Sequence, residues 1–188
     1  MQSVEHHDRA FITRSAERTA TTSVNALQIW QFVNILLSAL ITGVFWGSWL
    51  GLSRSMSTFR PETFLAIAAA MIGNLGTIMA VLVPAALLST LPVLYLLYRR
   101  RSNAFYTTLA GFAFFVIALL ITLLVEVPLD MEFQTWTTAT LPANWEQLRD
   151  RWAWYHVLRS WASVAGLALL LAGALFWRNN TTRRRSLY

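Results

Sequence analysis

The 188-residue chain has no cysteine, no lysine and little charge of either sign. Without cysteine there are no disulfides, no thiolate metal centres and no thiolate-ligated haem. All 15 basic residues are therefore Arg, a usage that fits a GC-rich bacterial genome. Charged residues make up only 13%, and no internal repeat is visible. What the chain has in quantity is apolar surface. Its 56% hydrophobic content and mean hydropathy of +0.47 exceed those of an ordinary soluble domain. Fifteen basic against nine acidic residues leave a net charge of +6. The excess sits in short Arg runs beside apolar segments, which points to a lipid bilayer with anionic headgroups as the charged partner and not to nucleic acid.

Four apolar stretches, Leu27–Leu50, Ile78–Tyr98, Ala104–Val125 and Trp154–Trp177, are each long enough at about 1.5 Å per residue to cross a hydrocarbon core of about 30 Å. The first starts too far from the N-terminus to read as a cleaved signal peptide, so it is expected to be an anchor. The expected fold class is all-α, an integral membrane antiparallel four-helix bundle. Residues 25–178 form the membrane domain, 1–24 a disordered cytoplasmic lead and 179–188 a basic cytoplasmic tail. An even number of spans puts both termini and the central turn on one side. That side carries ten Arg: Arg9, Arg14, Arg18, Arg99, Arg100, Arg101, Arg178, Arg183, Arg184 and Arg185. The positive-inside rule makes it the cytoplasmic face of a bacterial plasma membrane.

The two outer connections are long. In the first, Pro61 suits a first helical turn, and Phe64, Ile67, Met71, Ile72 and Leu75 share one face. A straight helix from Pro61 to Tyr98 would be about 57 Å long, so a break near Gly73–Thr77 is expected, leaving an amphipathic helix lying at the outer interface. In the second, Asn144 followed by Gln147 reads as a helix start continuous with the fourth span.

The ionisable residues near the spans are few and they converge. Glu126 and Asp130 stand one turn apart at the outer end of the third span, with Pro128 between them expected to kink or end the helix and splay the carboxylates. Trp152, His156, Arg159 and Ser163 form one stripe on the fourth helix. Arg159 lies too deep to be unpaired, and Glu126 is its expected counter-ion. The cluster reads either as a structural ion pair locking two helices or as an acid/base or ligand site at the outer mouth of the bundle. A metal held by Glu126, Asp130 and His156 is a further alternative that no strict spacing motif supports. Seven of the nine Trp fall in the outer half, Trp46, Trp136, Trp152 and Trp154 among them. They read as an outer belt or as the lining of a slot for a flat hydrophobic aromatic molecule. Gly43, Gly47 and Gly51 recur at every fourth position, the spacing of a close helix–helix contact.

At these residues the chain resembles the small four-span membrane family that includes the fungal anthrone oxygenases. The resemblance runs from about Phe45 to Leu171. Its carriers are Trp46-Gly47, Arg60-Pro61, the turn Glu126-Val127-Pro128-Leu129-Asp130, and the run Trp152-Ala153-Trp154-Tyr155-His156-Val157-Leu158-Arg159. The family often has Asn at both flanks of Val-Pro-Leu, where this chain has Glu126 and Asp130. The resemblance implies an oxygenase that deprotonates an activated carbon of a polycyclic phenol and lets the carbanion meet molecular oxygen, giving a quinone. The substrate's own electron-rich rings make a cofactor or metal dispensable. His156 or Asp130 would be the base and Arg159 the oxyanion stabiliser, beside Glu126. The alternative class is a non-catalytic membrane subunit, or a lipid- or small-ligand-binding module using the same pocket.

Overall fold

A computed structural model describes residues 25–98 and 103–177 in full, and 2–24 and 178–185 as helical backbone alone. The lead and tail expected from the sequence lie outside the fully described residues. The elements are α1 (Gln2–Gly51), a 3-10 turn (Ser53–Thr58), α2 (Pro61–Tyr98), α3 (Asn103–Ile121), a π-helical turn (Thr122–Glu126), α4 (Val127–Phe133) and α5 (Trp145–Arg185). No strand occurs among the described residues. Four helical segments are long and apolar enough to cross a membrane: Asn25–Thr58, Pro61–Tyr98, Asn103–Phe133 and Trp145–Trp177. α3, the π turn and α4 together make the third span. The spans form a ring in which α1 touches α2 and α5, and the third span touches α2 and α5. We call the end with the 3-10 turn and the 134–144 loop the connection end.

α2 is unbroken over 38 residues, which overturns the expected break at Gly73–Thr77 and the separate interfacial helix. The amphipathic face was read correctly, but its partner is protein instead of lipid headgroups. Phe64 and Ala68 are buried with Met56, Leu129, Phe133 and Trp152 in a core at the connection end. Glycine in a helix costs about 1 kcal/mol relative to Ala, whereas burying a side chain such as Phe64 returns about 1.5–3 kcal/mol. Packing of the first turns therefore holds the helix through Gly73 and Gly76. Trp145 opens α5, and the Asn144 carbonyl accepts from the Leu148 N–H at 3.3 Å, the helix start expected there.

The expected close packing at Gly43, Gly47 and Gly51 does not occur among the described residues: a Cβ added at any of them would meet nothing within 4 Å. Close approach belongs instead to α3 and α5. A Cβ on Gly111 would lie 2.9 Å from the Gly166 carbonyl, and one on Gly166 2.8 Å from the Phe115 ring. Overpacking costs about 1–3 kcal/mol and more where backbone must move. Gly111→Leu should therefore lower the melting temperature in detergent sharply, whereas Gly47→Ala should leave it unchanged or raise it. α1 and α2 are tied by Asn34, whose Nδ2 faces the Ala86 carbonyl (3.0 Å), Ser89 Oγ (3.0 Å) and Thr90 Oγ1 (2.7 Å).

Candidate functional site

The third span sets the site. Its inward positions Ala104, Thr108, Gly111, Phe115 and Ala118 alternate steps of four and three, as a helix facing a core does. The next steps, to Thr122 and the buried Glu126, are both four. The π turn makes this possible. The Val127 N–H bonds back to Thr122 O, five residues away, which widens the turn and shifts the register beyond it. Pro128, at the second position of α4, has no N–H to give to an α-helical ladder, so the wide turn falls where the ladder is already interrupted. The helix neither ends nor splays as expected; it continues to Phe133.

Glu126 is fully buried (0% exposed). Its Oε2 lies 2.9 Å from Arg159 Nη2, so the expected pair forms. It is an ion pair without a directed hydrogen bond, and Glu126 Oε1 and Arg159 Nε have no hydrogen-bond partner among the described residues. Arg159 Nη2 instead donates to His156 Nδ1 at 2.8 Å, and Nη1 donates to Thr122 Oγ1 at 3.3 Å. The guanidinium carbon sits 4.4 Å from the centre of the Phe45 ring, a cation–π contact.

The tautomer of His156 follows from these partners. Arg has no acceptor, so Nδ1 must offer a lone pair and the proton must sit on Nε2. That Nε2–H donates to the Phe45 carbonyl at 3.2 Å. The Ser160 hydroxyl is within 3.2 Å of the same carbonyl and 2.7 Å of His156 O. Both imidazole nitrogens are thus committed. The ring also stacks on Trp152, 5.4 Å away with planes 22° apart. Trp152 Nε1 donates to Asp130 Oδ1 at 2.9 Å. The two carboxylates therefore separate by role: Glu126 behind Arg159, Asp130 held by Trp152.

A cavity of about 380 Å³ opens onto this cluster, lined by residues of all four spans and of a size that takes small organic ligands. Asp130, Trp152, His156 and Arg159 line it together with apolar side chains, while Glu126 is not on its wall. Trp46, Trp136 and Trp154 do not line it either. Trp46 packs on Trp49 (4.8 Å) and Trp161 (5.0 Å), Trp136 packs on Phe133 at 4.8 Å, and Trp154 is exposed. Sequence reasoning missed Phe45, which contributes a ring to Arg159 and a carbonyl to His156. It also missed Thr122, whose place one turn before Glu126 was a usable signal.

Among the described residues no three His, Asp or Glu side chains come together as a metal-holding group. The alternative set of Glu126, Asp130 and His156 fails on its own donors: both imidazole nitrogens are taken, and Trp152 occupies an oxygen of Asp130.

Fold and site together define a small helical membrane protein in which a ligand-sized cavity ends on a buried Glu–Arg–His cluster. Residues 74–169, half of the chain, match the model of the anthrone oxygenase family, and the chain belongs to that family. The matched segment holds Glu126, Asp130, Trp152, His156 and Arg159, but not Phe45. No curated protein matches the chain, and no solved structure does.

Proposed function

We propose that the protein oxidises a polycyclic phenolic ketone of the anthrone class with molecular oxygen in this cavity. The observation that carries the reading is a mostly apolar wall that bears, beside Ser48, Thr122 and His156, one cation, Arg159, and one carboxylate, Asp130. That is what an enolate-forming reaction needs: a base at the carbon and a positive charge at the oxygen. Asp130 takes a proton from the methylene between the rings, and the negative charge spreads to the ketone oxygen beside Arg159. The carbanion reduces O2 and forms a C–O bond. Protonation gives a hydroperoxide, which loses water to leave the quinone carbonyl. One oxygen atom ends in the quinone and the other in water. His156, with both nitrogens occupied, holds Arg159 in place, which leaves Asp130 as the base. Apolar walls keep water from the carbanion.

The test is oxygen uptake by the purified protein in lipid nanodiscs with 9-anthrone. Equimolar oxygen loss and anthraquinone formation is expected; saturable binding without oxygen uptake would mark a non-catalytic ligand-binding module instead. The bundle is placed in a bacterial plasma membrane with both termini cytoplasmic and the cavity toward the outer side, on the strength of the Arg distribution. Alkaline phosphatase fused after Arg101 should then be inactive, and strong activity there would reverse the orientation.

A further inference from the structure

The cavity is closed along the bundle axis in both directions. Toward the termini lies a buried core of Ile41, Phe45, Val83, Ala86, Phe115 and Leu170. Toward the connection end lies the core built on Met56, Phe64, Leu129, Phe133 and Trp152. Each span threads the same order. On α2 the lining residues Met71, Leu75 and Met79 fall between Ala68 and Val83; on α5 His156 and Arg159 fall between Trp152 and Leu170. What remains is the side. The lining residues that are exposed are Gly76, Ala80 and Pro84, at successive turns of α2, and Leu123 and Val127 on the third span. Gly76 and Ala80 present almost no side chain, and a Cβ at Gly76 meets nothing within 4 Å, so no side chain fills the space there. The surface around this mouth is apolar: Ile78 is 53% exposed, Val81 67% and Leu124 70%. It belongs to segments long and apolar enough to cross a membrane, so the mouth opens toward the bilayer.

We infer that the cavity exchanges its ligand, taken from the proposed function to be an aromatic ketone, sideways with the bilayer through the gap between α2 and the third span. A lipid tail fits the mouth but brings no polar atom to Arg159 and Asp130, and buried charge facing a hydrocarbon chain is costly. A flat aromatic ketone offers an oxygen to Arg159 and its rings to the apolar walls. This inference rests on the cavity and the apolar spans, and it stands whether or not the oxygen chemistry proceeds as proposed.

The experiment uses wild type and variants in nanodiscs with 1,8-dihydroxyanthraquinone, a probe already at the quinone level, followed by stopped-flow quenching of tryptophan fluorescence. A Cβ at Gly76 meets nothing within 4 Å, so the backbone there accepts a side chain and Gly76→Phe narrows the mouth. A plug slows arrival and departure alike: both rate constants should fall about tenfold while Kd changes much less. Ala80→Phe should do the same and serves if Gly76→Phe does not fold. Leu91→Phe, exposed on α2 seven residues beyond Pro84, should change nothing. Unchanged rates in both mouth variants, or no saturable binding by wild type, overturn the inference. A stoichiometric phospholipid displaced by the dye would assign the mouth to lipid tails and overturn the aromatic ligand. Slowed dye exchange with no oxidation of 9-anthrone would sink the oxygenase reading and leave the lateral route intact.

Discussion

Arg159→Met should cost the folded protein about 3–5 kcal/mol, because it removes the guanidinium from a buried carboxylate and leaves Glu126 only the His156 imidazole, 3.9 Å away. Glu126 is fully buried, and its approach to Arg159 Nη2 at 2.9 Å is its contact with a cation. Removing one member of such a pair exposes the full desolvation cost of the other. Removing both is a different experiment. Glu126→Leu with Arg159→Met replaces the pair by apolar side chains of similar reach and should recover most of the lost stability. Equilibrium unfolding in mixed micelles measures all three proteins. A loss below about 1 kcal/mol for Arg159→Met would mean that the pair behaves as a solvated one, worth what surface pairs are worth. The double variant should still be inactive, since no cation remains to meet the ketone oxygen. Stability and function therefore part company at this site.

Asp130→Asn should lower the rate of anthrone oxidation by about 10²–10⁴-fold, the usual contribution of a positioned general base. Affinity for the quinone probe should hardly change. The amide keeps an oxygen able to accept from Trp152 Nε1, so the local geometry survives while the proton acceptor is lost. Comparison with His156→Gln decides the assignment. If the imidazole were the base, that variant would lose the larger part of the rate and Asp130→Asn would keep it. With Nδ1 held by Arg159 and Nε2 by the Phe45 carbonyl, His156 has no free lone pair toward a substrate.

The meeting of Glu126 with Arg159 was legible in the sequence because it follows from cost: a deep Arg must find a carboxylate, and one stood at the end of the neighbouring span. The four-span architecture was legible for the same kind of reason, from length and hydropathy. Features that depend on what a face meets were not. The Gly43-Gly47-Gly51 spacing is identical whether the stripe touches a helix or nothing, and here a Cβ on it meets nothing within 4 Å among the described residues. The tight contact, at Gly111, Gly166 and Gly173, joins α3 to α5, and its two α5 glycines stand seven residues apart instead of four. α2 was expected to break because its length was judged against a membrane and not against the loop-end core that its first turns build. Trp46, Trp136 and Trp154 were grouped by depth, whereas lining a cavity depends on which side of the helix a residue occupies. The Phe45 carbonyl is backbone, and no side-chain pattern announces it.

Glu126 and Arg159 also belong to a single helical hairpin, the third span and α5, joined by the 134–144 loop. That arrangement bears on how the chain gets into the membrane at all. A lone Arg at the centre of a span costs about 2.5–3.5 kcal/mol to insert. Synthesis runs from the N-terminus, so the acidic partner precedes the basic one, and the two can leave the translocon together as a neutral unit. A chain in which Glu126 becomes Lys should therefore fail at the ribosome-bound stage, with its last segment left outside the bilayer, before any question of folding or catalysis arises.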